Sequence, residues 1–171
     1  MHDTFKQLIT NQYQASLCTL NQCIQECPEA IFQKPVAAFP FSQCVFHTLF
    51  FADLYLGKDM DDQLKQQFHL DQAAVFAGYS QLESDTPAAN YQKPFLSLYL
   101  QHCRSKMERV VGEETEADLN EPAGFPWLST ITRAEVHAYN IRHIQHHAAQ
   151  LILQMRKEAT FNLPWVRSGW V

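Results

Sequence analysis

A chain of 171 residues, 46% apolar and 18% charged, with a formal net charge of −5, is one domain's worth of ordinary globular protein, spanning 1–171. Its 13 Lys and Arg form no basic stripe, which argues against the phosphate neutralisation that nucleic-acid binding rests on, and no apolar run approaches the ~18 residues of a membrane span. Met1-His2-Asp3-Thr4-Phe5-Lys6 lacks the charged start and apolar run of a signal peptide, so the expected setting is cytoplasmic. There Cys18, Cys23, Cys27, Cys44 and Cys103, odd in number and without a Cys-x-x-Cys pair, are expected as buried or half-buried free thiols.

Scarce glycine favours helix. Phe5, Leu8, Ile9, Leu17, Leu20 and Ile24 recur at helical spacing, which predicts a helix over Thr4 to Glu26 that Pro28 stops. Glu29 to Phe41, with Pro35 and Pro40, reads as an apolar loop across one end. The second helix is expected from Ser42, as N-cap, to Leu56, with Gly57 as its stop. Asp61 to Phe68 and Asp71 to Gly78 read as short helical turns, and Ser84, Asp85, Thr86 and Pro87 as loop. A third helix is expected from Asn90 to Val111, with Pro94 in its first turn and Gly112 at its end. Glu113 to Trp127, holding Pro122, Gly124 and Pro126, reads as a long polar loop. Thr132 and Glu135 form a capping-box pattern that opens a fourth helix to Ala159. The tail from Phe161 to Val171, carrying Trp165 and Trp170, is expected to fold back. Four long helical patterns without convincing strands predict an all-α, four-helix bundle with long connections and a short C-terminal tail.

Three of the eight histidines fall within five residues of the fourth helix. At 100° per residue, Ile141, Ile144, Ala148, Leu151 and Met155 form a stripe centred near about 310° from Ile141. His147 falls near about 240° and His143 near about 200°, on its flank, while His146 falls near about 140° and points to solvent. Two imidazoles at i and i+4 can converge on one ion. On the second helix, Phe50, Phe51 and Leu54 follow His47 at i+3, i+4 and i+7, placing it within an apolar face. An imidazole there needs a partner. Periodicity leaves two readings open: core histidines bonded to backbone carbonyls, or ligands of one metal. His2, His69, His102, His137 and His146 read as solvent-facing or structural.

The segment Asn140-Ile141-Arg142-His143-Ile144-Gln145-His146-His147-Ala148-Ala149-Gln150-Leu151 resembles the last-helix signature of the DinB/YfiT-like superfamily, His-x3-His followed by two residues and Gln-Leu. His47 in Val45-Phe46-His47-Thr48-Leu49-Phe50-Phe51 is similar to the family's second-helix histidine, and the resemblance extends through Lys93 to Val111 and the tail Pro164-Trp165-Val166-Arg167-Ser168-Gly169. It implies a four-helix bundle, commonly a homodimer, holding zinc or nickel on His47, His143 and His147. Some related proteins are thiol-dependent S-transferases or isomerases, which implies a low-molecular-weight thiol and a small-molecule substrate.

Three histidines leave a coordination position open, which suits catalysis. Two chemistries follow: a water whose pKa falls toward ~7 and attacks an ester or amide, or a thiol held as thiolate and presented to an electrophile. The thiol reading is preferred because of the relatives. The alternatives are a metal-dependent hydrolase and a non-catalytic metal-containing binding or stress-response module. Asn140, Gln43 and Gln150, each about one turn from a histidine, are the candidate supporting residues. Asp53, Glu108 and Glu135 are the candidates for a general base.

Overall fold

Ile9, Tyr13, Leu17, Leu20 and Ile24 form the buried face of the first helix in the computed structural model, which describes residues 2–36, 39–77, 89–159 and 162–170. In chain order the elements are α1 (His2–Glu26), α2 (Glu29–Phe32), β1 (Pro35–Val36), β2 (Phe39–Pro40), α3 (Phe41–Leu56), α4 (Met60–Leu64), α5 (Gln67–Asp71), α6 (Ala73–Phe76), α7 (Lys93–Glu113), α8 (Glu116–Asn120) and α9 (Arg133–Ala159). A 3-10 turn, Pro126–Leu128, precedes α9. The two short strands pair antiparallel, Val36 opposite Phe39. The protein is thus mostly helical, and no helix among the described residues is long and apolar enough to cross a membrane.

The four long helices pack side by side, α1 and α3 each lying against both α7 and α9. Their directions follow from cross-helix bonds. Lys6 reaches Gly112 and Gln25 reaches Ser97, so α1 and α7 are antiparallel. Leu49 meets Cys103 and Asp53 meets Lys106, so α3 and α7 run parallel. Tyr13 meets His137 and Cys23 meets Ala148, so α1 and α9 run parallel too. Successive parallel helices need a connection that travels back along their length, about 24 Å for the 16 residues of α3. The connection between α3 and α7 is accordingly long, 57–92 in the sequence.

Several local expectations need correction. Leu8, one position off the buried face, is 55% exposed and is not core. α1 begins at His2 rather than Thr4. The stretch after Pro28 is no plain loop, since Ile31 and Phe32 are buried by a helical turn and a β-hairpin follows. Ser42 is not the N-cap of α3: Pro40 stands there, and the Ser42 hydroxyl donates to Gln33 Oε1 at 2.7 Å while accepting from the Tyr91 amide at 3.2 Å. Gly57 does follow α3. Residues 60–76 form three short turns rather than two, with other boundaries.

α7 starts at Lys93, with Pro94 in its first turn, and runs through Gly112. That glycine has no positive φ and sits in open space, so nothing there ends a helix. The polar loop after α7 holds α8, opened by a Thr115–Asp118 capping box. The Thr132–Glu135 box forms as expected. In the tail Leu163 is buried and Trp170 lies under the Arg104 guanidinium at 4.3 Å, but Trp165 is 90% exposed. Gly78, Ser84, Asp85, Thr86 and Pro87 lie outside the described residues, as do Phe161 and Val171. Cys18 is half-buried and the other four cysteines buried, all as free thiols.

Candidate metal centre

The seam between α3 and α9 is antiparallel, and its side chains form a ladder. His47, Phe51 and Tyr55 step along α3 at four-residue intervals, while His147, His143 and Tyr139 step along α9 to meet them. Asn140 pins the register by donating to the Ala52 carbonyl at 3.0 Å. His47 is buried, and His143 and His147 are half-buried. His146 points to solvent, as the helical phase predicts, and Ile144, Ala148, Leu151 and Met155 are buried.

One ring nitrogen from each of His47, His143 and His147 lies within 4.8 Å of the others. His143 Nε2 is 3.3 Å from His47 Nε2. Two nitrogens bound at about 2.0–2.1 Å in a tetrahedral shell lie about 3.3–3.4 Å apart, so this pair stands at the spacing a zinc-like ion needs. Protonation suits a ligand role as well. Burial, then the neighbouring His147 and His143, lowers His47 to about 2. Burial, then His147 and His146, lowers His143 to about 3. Burial also lowers His147, partly opposed by its bond to Gln150. At neutral pH all three keep the lone pair a metal requires.

The outer partners divide unevenly. Gln150 Oε1 accepts from His147 Nδ1 at 2.9 Å, which leaves Nε2 of that ring as the ligand atom. Cys44, one turn before His47, places Sγ 3.8 Å from the same Nδ1, and burial pushes its thiol up to about 12. The i−3 spacing to His47 was the sequence signal for Cys44. Gln43 Oε1 accepts from the Ala89 amide at 2.8 Å. Asn140 positions the two helices rather than a histidine. Among the described residues, His143 Nδ1 is buried without a hydrogen-bond partner.

None of the expected bases belongs to this centre. Glu108 pairs with Arg104 and Glu135 caps α9. Asp53 lies on another face of α3, where it gathers His69 Nε2 at 2.5 Å, Lys106 Nζ at 2.6 Å, Tyr99 Oη at 3.1 Å and Gln66 Nε2 at 3.3 Å. Burial pushes the Asp53 carboxyl up, but hydrogen bonds from His102 and His69 and the charge of Lys106 outweigh it and hold it well below the usual range. Asp53, His69 and His102 could also surround an ion. Lys106 already supplies the cation there, so this group reads as a buried charge network that fastens α5 and α7 to α3. It was missed because its members are far apart in the chain. His69 is buried and structural, and His102 bonds Gln66.

A second buried network holds the opposite end of the seam. The Tyr13 hydroxyl donates to His137 Nδ1 at 3.1 Å, and His137 Nε2 donates to Glu114 at 2.6 Å. Arg133 bonds Glu114 and spans the Tyr55, Leu56 and Gly57 carbonyls, closing the C-terminus of α3. It lines a cleft of about 680 Å³ with Lys106 and Glu114. Neither network touches the triad, so the centre has to be read from its own chemistry: no family model matches the chain, and no curated protein or solved structure does either.

Proposed function

We propose that this chain is a metal-dependent enzyme of the DinB/YfiT-like four-helix-bundle type, holding zinc or nickel on His47, His143 and His147, and that it transfers groups between a low-molecular-weight thiol and a small-molecule substrate. The observation that carries the reading is the convergence of three neutral imidazoles from two helices, two of their nitrogens at tetrahedral spacing. The paired directions of the four long helices agree with such a bundle. The homodimer implied by the resemblance is part of the same proposal.

A bound ion would act as a Lewis acid toward a water or thiol at its open position. Gln150 fixes the His147 tautomer, and Phe51 shields the His47 and His143 rings on one side, with centroids at 4.7 and 5.6 Å. Among the described residues, Asp53, Glu108 and Glu135 are engaged away from the triad, which supports thiol chemistry over hydrolysis. A hydrolase needs a group to manage the protons of water and leaving group, whereas a thiol needs only to be deprotonated.

The test is to incubate the zinc-loaded chain with 2-mercaptoethanol and 1-chloro-2,4-dinitrobenzene. The thiol sulfur bonds to the ring carbon, the carbon–chlorine bond breaks, chloride leaves and the thiol proton passes to solvent. Product above the uncatalysed rate, lost in His143→Ala, supports the reading. Hydrolysis of activated esters without thiol conjugation would make the chain a hydrolase, and neither activity would leave a metal-containing binding module.

A further inference from the structure

The ladder that brings the histidines together continues past them as aromatic rings. One turn beyond His47 is Phe51, one turn beyond His143 toward the same end is Tyr139, and Tyr55 stands next to both. The Tyr55 ring meets the Tyr139 ring edge-on at 5.2 Å and the His143 ring at 6.4 Å. Trp127 closes the far end, its indole N–H donating to the Tyr55 hydroxyl at 3.1 Å. Tyr55 is buried, while Phe51 and Tyr139 are half-buried and Trp127 is 44% exposed. Phe51, Tyr139 and Trp127 therefore each keep part of their surface exposed beside the candidate metal centre.

The charge beside this strip has a definite sign. Arg142 is exposed, and its guanidinium lies 5.6 Å from the Tyr139 ring centroid. Among the described residues it forms no ion pair or hydrogen bond, in contrast to Arg104, Arg109 and Arg133, which each hold a carboxylate. In a chain of net charge −5, a guanidinium that lies against the Tyr139 ring and holds no carboxylate favours an anion at that end of the aromatic strip.

We infer that the centre takes a small substrate with an aromatic ring next to its metal-binding or reacting group and an anionic substituent beyond the ring, the ring lying over Phe51 and Tyr139 and the anion meeting Arg142. The dimensions agree. One helical turn is about 5–6 Å, which places the Phe51 and Tyr139 rings one step from the histidines, and aromatic pairs attract at centroid distances of about 4.5–7 Å. The inference rests on the metal reading above and extends it to substrate class, with Phe51, Tyr139 and Arg142 as specificity-determining residues.

The test uses the full chain loaded with zinc, three hydroxamate probes and titration calorimetry, with zinc content measured for every sample. Wild type is expected to bind benzohydroxamate more tightly than acetohydroxamate, and 4-carboxybenzohydroxamate more tightly still. Tyr139→Leu, which keeps apolar volume, is expected to weaken benzohydroxamate about fivefold while acetohydroxamate affinity and zinc content hold. Arg142→Gln is expected to weaken only the carboxylated probe, about threefold. Equal affinity of wild type for the aliphatic and aromatic probes, or equal losses for both in Tyr139→Leu, overturns the inference with the metal reading intact. Failure of wild type to take up zinc overturns the metal reading and the inference resting on it.

Discussion

Nε2 of His47 and Nε2 of His143 lie 3.3 Å apart across the α3–α9 seam, although the residues are 96 positions apart in the chain. Two neutral imidazoles at that distance must share a proton or a cation, since two lone pairs aimed at each other repel. His147 adds a third nitrogen to the same point, and its ring is fixed from outside by Gln150.

The helical phase of α9 can be tested directly. His143→Ala is expected to abolish metal binding, because it removes a converging nitrogen. His146→Ala is expected to leave binding intact, because that ring faces solvent. Gln150→Ala is expected to weaken binding about 10–100-fold by freeing the His147 ring. Competition titrations with a chromogenic chelator measure all three, and equal loss from His143→Ala and His146→Ala would mean that the phase is wrong.

Asp53 and Lys106 form the buried ion pair of the network that joins α3 to α5 and α7. Lys106→Met leaves the Asp53 carboxylate without its charge partner and is expected to cost about 3–5 kcal/mol of stability. Metal stoichiometry should hold, because Asp53 faces away from the triad. Urea denaturation with a parallel zinc assay checks both. Loss of metal with unchanged stability would place Asp53 in the metal centre.

The metal-free protein should lose stability in acid in two stages. An unfolded histidine takes its proton near pH 6.5, whereas folded His47 and His143 stay neutral down to about 2 and 3. Below pH 6.5 the unfolded chain therefore binds more protons, and stability falls as pH drops from there. Asp53 and Glu114, both held low in the folded protein, add a second loss below about pH 4, where their unfolded counterparts protonate. Melting temperature against pH should be flat from 7 to 8 and decline from about 6 downward. A flat profile to pH 4 would contradict the neutral triad.

Gly124 has φ +79°, and a Cβ there would stand 2.0 Å from the Lys58 carbonyl oxygen, a backbone atom without room to give. Gly124→Ala is expected to cost at least about 1–3 kcal/mol, measured by thermal melting. Gly112→Ala, in open space within α7, should stabilise by about 0.5–1 kcal/mol.

The long helices and the histidine phase could be read from the sequence because both are local: a buried face repeats every three to four residues, and angular positions follow from one number. Ser42 shows where local rules stop. It carries the chemistry of an N-cap, but tertiary partners at Gln33 and Tyr91 claim its hydroxyl. Gly112 looks like a stop, but a helix ends where its carbonyls find other partners, and α7 finds its capping position two residues later at Glu114. The Thr115–Asp118 box is a local signal, but the helix it opens is only five residues long and lies in a stretch whose Pro122, Gly124 and Pro126 read as loop. The Asp53 network had no local signature: Asp53, His69, His102 and Lys106 come from three segments that only the packed helices bring together.

The central claim stands or falls on metal content. The full chain, purified without an affinity tag, offered zinc and then desalted, should carry one metal per chain by elemental mass spectrometry, and His47→Ala prepared alongside should carry none. No metal in wild type, or the same amount in both, would contradict the account and leave the three histidines as residues of the helix seam.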